Sequence, residues 1–183
     1  MSLFIGFLVM IMVSMAPLQY GGAAEFPEIV VTNDTKHVLV YTRGMVDFPQ
    51  EIEEAILVGA KVTISYTMIL YQQRDYWFDK KITESVVANT IKYDTVKKIF
   101  QVTLAGHKEP VIFSEIAAAK NAINELNNIS VAPVSQLSKN NKYHLEMKAK
   151  LEKERHPMIM DIFAIFLSWR NFETEWFRHQ LAR

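Results

Sequence analysis

Residues 61–71, with the sequence KVTISYTMILY, decide the fold class of this chain. Apolar side chains occupy every second position of the stretch: Val62, Ile64, Tyr66, Met68 and Leu70. The intervening positions carry lysine, threonine or serine as far as Thr67. A period of two residues is that of a β-strand with one face in a core and the other in water. We therefore predict a long, half-buried strand here.

Similar patterns predict further strands on both sides of this stretch. Alternating or β-branched runs lie at residues 28–32, 37–42, 82–93, 98–104 and 111–113. Residues 143–152 also alternate, although they are rich in helix formers. Helix propensity is worth only tenths of a kcal/mol per residue, whereas burying a charge costs several, so we predict a strand there too. Pro133 interrupts the extended run 129–137, which predicts an edge strand or a loop crossing an edge.

Two helices interrupt the strands. Asp47, Phe48 and Pro49 are a helix-starting sequence, and Gly59 is a typical stop. Ser114 is predicted to cap a second helix that ends at residues 127–128. Its apolar stripe consists of Ile116, Ala119, Ile123 and Leu126.

The order of these elements predicts the fold class. Residues 157–167 are predicted to form a short helix or a buried strand, and residues 169–178 are predicted to complete a sheet. Helices that are inserted, rather than alternating with strands, argue against a parallel sheet. We predict a mainly β fold: an antiparallel, immunoglobulin-like β-sandwich of about seven or eight strands with two inserted α-helices, after an N-terminal signal helix.

The first residues indicate export. Residues 3–15 form an uncharged run of 13 residues, shorter than the roughly 20 that a membrane helix needs. Small residues at 21–24 then precede Glu25, which is a signal-peptide layout. We predict a signal peptide at 1–24 and a single β-sandwich domain at 25–183, in the periplasm or otherwise exported. No lysine or arginine precedes the apolar run, so an uncleaved segment anchored in the inner membrane stays an alternative; no other transmembrane domain is predicted.

Composition excludes several classes of function. The 20 basic and 20 acidic residues all follow Ala24, so the chain after Ala24 has a formal net charge of zero. Binding to phosphate groups needs an excess of positive charge, so nucleic acid is not a predicted partner. The chain has no cysteine, which excludes disulfides and thiolate chemistry. Its six glycines are scattered, so no phosphate-binding loop or serine nucleophile elbow is present. We predict no catalytic residues, no cofactor and no metal, and most simply no enzymatic activity.

One histidine needs separate mention. His144 and Glu146 lie two residues apart on the wet face of a predicted strand and could supply two metal ligands. The simpler interpretation, which we favour, is a solvated, charged strand face.

Residues 70–81, LYQQRDYWFDKK, are the best candidate for a site. Two interpretations stay open. Tyr76, Trp77 and Phe78 could fold back to plug the open end of the core, with Arg74 paired to a neighbouring aspartate. Alternatively, Arg74, Tyr76 and Trp77 present an amphipathic binding patch, because Arg, Tyr and Trp dominate binding hot spots.

Several loose motifs together resemble a mostly proteobacterial family, the domain of unknown function 4390. They are residues 51–70, the segment from Leu70 and Tyr71 through Arg74, Tyr76, Trp77 and Asp79, the hairpin 93–102, Phe113-Ser114 before an alanine-rich helix, and Ser168-Trp169 with Trp176. The resemblance implies exported bacterial proteins of one domain with no established activity, and therefore no catalytic residues to transfer.

Together these observations predict an exported, non-enzymatic module that binds an envelope or membrane protein. A small-ligand or carbohydrate-binding module using the aromatic patch is the alternative. A hydrolase whose carboxylates converge only in the fold is the third hypothesis.

Overall fold

The computed structural model describes residues 28–43, 46, 48–153 and 172–181. The predicted signal segment 1–24, Asp47 and residues 157–167 lie outside the described residues. Within them, the α-helices are α1 (Gln50–Leu57) and α2 (Ile116–Ile123), and Val134–Gln136 form one 3-10 turn. The strands are β1 (Ile29–Asn33), β2 (His37–Arg43), β3 (Val62–Gln72), β4 (Lys80–Asp94), β5 (Ile99–Thr103), β6 (Val111–Phe113), β7 (Glu125–Pro133), β8 (Tyr143–Lys153) and β9 (Phe177–Gln180).

The strands form two antiparallel sheets. One has the order β1-β2-β7 and the other the order β6-β5-β4-β3-β8-β9. The predicted mainly β fold with antiparallel sheets and two inserted helices is confirmed, with nine strands in the described part of the chain. The finer prediction, that the sandwich is of the immunoglobulin type, stays a prediction.

Strand β3 is central to the larger sheet, as its pattern predicts. It pairs with β4 on one side and with β8 on the other. Its five alternating apolar side chains, from Val62 to Leu70, are at most 1% exposed. In β8, Tyr143, Leu145, Met147 and Ala149 are buried on the same face. Burial of this alternating face therefore outweighs the helix propensity of residues 143–152, and the strand prediction is confirmed.

Helix α2 is shorter than predicted. It ends at Ile123 because Asn124, at its C-terminus, bonds through its side chain to Val46: its Oδ1 accepts the Val46 N–H at 3.3 Å, and its Nδ2 donates to the Val46 carbonyl at 3.2 Å. Leu126, predicted to lie on the helix, is instead a buried residue of β7. The N-cap position is Glu115 rather than Ser114.

Buried polar groups join the two sheets near the start of β7. The Tyr66 hydroxyl donates to the Ile123 carbonyl at 3.3 Å, and burial raises the pKa of Tyr66, so it stays a donor. Asn89 donates to the carbonyls of Ile123 and Glu125 at 2.8 and 3.1 Å. Its Oδ1 accepts the Ala105 N–H at 2.8 Å, so both the nitrogen and the oxygen of this 1%-exposed amide are hydrogen-bonded.

β7 lies at an edge of the smaller sheet, as predicted for a run containing a proline. β9 lies at an edge of the larger one, later in the chain than the predicted 169–178. No helix among the described residues is long and apolar enough to cross a membrane.

Candidate functional site

The loop between β3 and β4, residues 73–79, carries three exposed aromatic side chains, and we call it the aromatic loop. Tyr76 is 98% exposed, Trp77 72% and Phe78 85%. Within the loop, the Trp77 and Phe78 rings meet edge to face, with centroids 6.2 Å apart. The plug interpretation is therefore wrong: these rings do not cover the core.

The end of the core is closed by another residue. Tyr143, opposite Gln72 in the β3–β8 register, is 7% exposed, and its hydroxyl accepts the Ser138 N–H at 2.8 Å. Leu70, the last core residue of β3, is fully buried. Because Tyr143 supplies the cover, the sandwich has no need of the loop aromatics for this purpose.

The two ends of the aromatic loop are fixed by hydrogen bonds. The Gln73 N–H donates to the Lys142 carbonyl at 2.9 Å, and its side-chain amide donates to Gln180 of β9 at 3.0 Å. Across the loop, the Arg74 N–H donates to Asp79 Oδ1 at 3.1 Å. The loop therefore holds its aromatic tip away from the sheet on a fixed base.

Arg74, Tyr76 and Trp77, the predicted binding residues, lie together on this loop and are exposed. The expected ion pair from Arg74 to Asp75 or Asp79 does not form among the described residues, since only the Arg74 backbone contacts Asp79. Lys80 is exposed beside the tip, and Lys81 forms an ion pair with Glu84. The patch thus combines aromatic surface with charges of both signs, since Asp75 is exposed beside Arg74.

A buried histidine lies beneath the base of the loop. We call Tyr71, Asp79, His144, Glu146 and Arg178 the His144 cluster. The His144 ring stacks on Tyr71, with centroids 5.2 Å apart, and is 1% exposed. Its Nδ1 lies 3.8 Å from Asp79 Oδ2, and its Nε2 lies 3.5 Å from Glu146 Oε1. Arg178 donates to the same Glu146 oxygen from Nε at 3.0 Å and from Nη2 at 2.7 Å.

The pKa of His144 is lowered from its ordinary value. Burial is the largest cause, because it disfavours the charged imidazolium, and the positive charge of Arg178 acts in the same direction. Asp79 and Glu146 oppose both effects but do not overcome them. Near neutral pH the cluster therefore holds a neutral histidine, whose buried Nδ1 has no hydrogen-bond partner among the described residues.

The comparison with protein families identifies the chain. A family model described as a domain of unknown function, DUF4390, matches residues 22–180. The chain belongs to the DUF4390 family. The match spans both sheets, the aromatic loop and the His144 cluster, and the resemblance seen in the sequence is confirmed. Searches of curated proteins and of solved structures each find no match to this DUF4390 chain.

The DUF4390 site differs from the expected solvated strand face at one position. His144 was expected to be wet, but Tyr71 of the neighbouring strand covers it. Glu146 is shared with Arg178, and Asp79 is bonded to the Arg74 backbone, so the nearby carboxylates have other partners. The described part of the chain contains no group of three or more His, Asp or Glu side chains able to hold a metal ion.

Sequence patterns did not indicate that Tyr71, Asp79 and Arg178 meet His144. They come from three different segments, and only the antiparallel register, with Tyr71 opposite His144 and Glu146 opposite Arg178, brings them together. The sequence carried only part of this information. The alternation of residues 143–152 placed His144 on the polar face of β8, but only the register against β3 shows that it lies beside Tyr71.

Proposed function

We propose that this DUF4390 chain is an exported, non-enzymatic module that binds a protein of the cell envelope through Arg74, Tyr76 and Trp77. The observation that carries the proposal is the exposure of Tyr76, Trp77 and Phe78 at the tip of one anchored loop. Burying such a side chain contributes about 1.5–3 kcal/mol relative to leaving it exposed, and here the fold itself does not use that energy. A partner that covers the tip would gain it.

The chemistry of the tip favours a protein partner. Trp, Tyr and Arg are the residues that most often dominate protein–protein hot spots, and all three occur within four positions. Fixed loop ends reduce the ordering cost of binding, because Asp79 and Lys142 already hold the loop backbone and Gln180 holds the Gln73 side chain. Export is supported by the uncharged apolar run and small residues before Glu25.

The other two hypotheses gain less support from this site. A sugar or small ligand is normally held in a concave pocket, whereas Tyr76, Trp77 and Phe78 stand out from the surface. A hydrolase would need converging carboxylates in a cleft, and the carboxylates of the His144 cluster are already occupied by Arg178 and the Arg74 backbone.

Photocrosslinking in the native cell envelope tests the proposal. A benzophenone-bearing residue at Tyr76 should capture one dominant protein, and Trp77→Ala in the same chain should reduce the yield. The matched control carries the probe at Val96, which is 89% exposed at the tip of the β4–β5 turn. Equal capture at both positions, or no protein adduct from a folded and exported probe chain, would count against the proposal.

A further inference from the structure

A second surface feature lies at the junction of the two sheets, and we call it the lysine cleft. Its volume is about 530 Å³, within the roughly 300–1,000 Å³ typical of small-molecule sites. It lies between the β1–β2 hairpin, the segment from Val134 to Tyr143, and Leu181 after β9. Its apolar lining includes Val31, Leu137 and Leu181, and its charged lining consists of Lys139 and Lys142.

The walls of the lysine cleft are apolar and continuous with the core. Val38 and Tyr143 are buried, and Val31, Leu137 and Leu181 are half-buried against the same core. An alkyl group placed here would cover the exposed parts of these side chains, and that burial is favourable.

Backbone hydrogen bonds hold these walls in place. The Val134 N–H donates to the Lys36 carbonyl at 2.8 Å, the Leu137 N–H to the Val134 carbonyl at 2.9 Å, and the Leu181 N–H to the Tyr143 carbonyl at 3.1 Å. These bonds tie the segment after β7 to the β1–β2 turn and to itself, and they tie Leu181 to β8. A ligand would meet a cleft that is already formed, so little ordering entropy is lost on binding.

The polar side of the cleft has a single sign of charge. Lys139 and Lys142 line it, and no aspartate or glutamate does. Neither lysine forms an ion pair with a carboxylate of the described residues. Asn33, Ser138 and Asn141 add uncharged hydrogen-bonding groups. Two cations beside an apolar wall complement a ligand with an apolar body and an anionic head.

We infer that the lysine cleft binds an alkyl carboxylate, with the chain against Val31, Leu137 and Leu181 and the carboxylate between Lys139 and Lys142. The site shares no lining residue with the aromatic loop, so the inference is independent of the proposed protein partner. Lys142 is common to both features: it lines the cleft, and its backbone carbonyl accepts the Gln73 N–H at the base of the aromatic loop.

Isothermal titration of the full chain with decanoate tests this inference, with decyltrimethylammonium as a ligand of equal chain length and opposite charge. Decanoate should bind, and the cation should bind at least about tenfold more weakly, because only the anion gains from the two lysines. Lys139→Glu with Lys142→Glu should weaken decanoate by about tenfold or more. The matched control, Lys97→Glu with Lys108→Glu, changes the net charge equally at exposed positions outside the cleft and should leave the affinity unchanged.

Amide chemical shifts then locate the ligand. Decanoate should perturb Ser138 and Asn141 and should bind equally well to the Trp77→Ala chain. Three results would overturn the inference: no heat with decanoate at millimolar concentration, equal affinity for the two ligands, or equal weakening by the cleft and control double substitutions. Lost decanoate binding with intact crosslinking at Tyr76 would leave the proposed function standing.

Discussion

The imidazole of His144 lies parallel to the ring of Tyr71, with an interplanar angle of 16° and centroids 5.2 Å apart. The two residues are directly opposite in the antiparallel register of β8 and β3. A tyrosine on one strand therefore seals a histidine on the next, on the sheet face that points away from the core. The seal gives the base of the aromatic loop a titratable group that water does not reach.

Stability should depend on the protonation of His144. Its pKa is lowered in the folded chain, so between that lowered pKa and the ordinary value of about 6.5 the unfolded chain binds a proton that the folded chain does not. The free energy of unfolding therefore falls as the pH falls below about 6.5 and is fully recovered above it. His144→Gln should remove this part of the pH dependence.

Urea unfolding at about pH 7.5 and about pH 5.5 measures the effect. The wild-type chain should lose more stability between the two pH values than the His144→Gln chain. His107→Gln, which replaces an exposed histidine in another loop, is the matched control and should behave like wild type. If wild type and His144→Gln lose the same amount, the buried neutral histidine is not the cause.

Arg178 should keep the pKa of His144 low. Its guanidinium disfavours a second positive charge nearby and occupies the Glu146 oxygen that faces the histidine. Arg178→Gln should therefore raise the pKa of His144, which an NMR titration of the imidazole Hε1 proton measures directly. Arg43→Gln removes an arginine that pairs with Glu125 on the smaller sheet, and it should leave that titration unchanged. A His144 pKa that stays the same or falls in Arg178→Gln would contradict this account.

The alternation of apolar and polar residues was enough to predict two strands of the larger sheet. β3 and β8 follow from their patterns because burial of one face dominates over propensity, and their core residues are those that alternate. Leu126 was misplaced because an apolar residue three positions after Ile123 fits a helix stripe as well as the start of a strand. The side-chain amide of Asn124, bonded to Val46, decides between them, and a contact so distant in sequence has no local signature.

The site was less predictable than the fold for a related reason. A run such as Tyr76-Trp77-Phe78 has the same composition whether it covers a core or stands in solvent. Which one occurs depends on whether another residue closes the core end, and Tyr143 does so through a register that the sequence does not specify. The same register creates the contact between Tyr71 and His144.

Removing the Trp77 ring should hardly affect stability. The side chain is largely exposed, so Trp77→Ala should change the free energy of unfolding by no more than about 0.5 kcal/mol. Leu70→Ala, three residues before the loop's Gln73, should cost about 2–5 kcal/mol because that side chain is fully buried. Urea denaturation of both variants provides the comparison. A loss of several kcal/mol in Trp77→Ala would restore the plug interpretation and remove the main support for a binding surface.

Asn89 should be the most sensitive polar residue of the described core. It occupies the buried phase of β4, between Val87 and Ile91, and its amide bonds to the carbonyls of Ile123 and Glu125 and to the Ala105 N–H. Asn89→Ala removes the partner of one buried group, the Ile123 carbonyl, and of two part-buried groups, the Glu125 carbonyl and the Ala105 N–H. A buried unsatisfied group costs about 1–3 kcal/mol, so we expect a total loss of about 2–3 kcal/mol. Asn89→Asp should also destabilise the fold, because a carboxylate cannot donate to the two carbonyls and is itself costly to bury.

Asn140→Ala, at an exposed turn position, is the control and should stay within about 0.5 kcal/mol of wild type. Denaturant midpoints of the three variants separate the outcomes: a small effect in Asn89→Ala would mean that these carbonyls find water or other partners, and that the junction between α2 and the larger sheet does not depend on this amide.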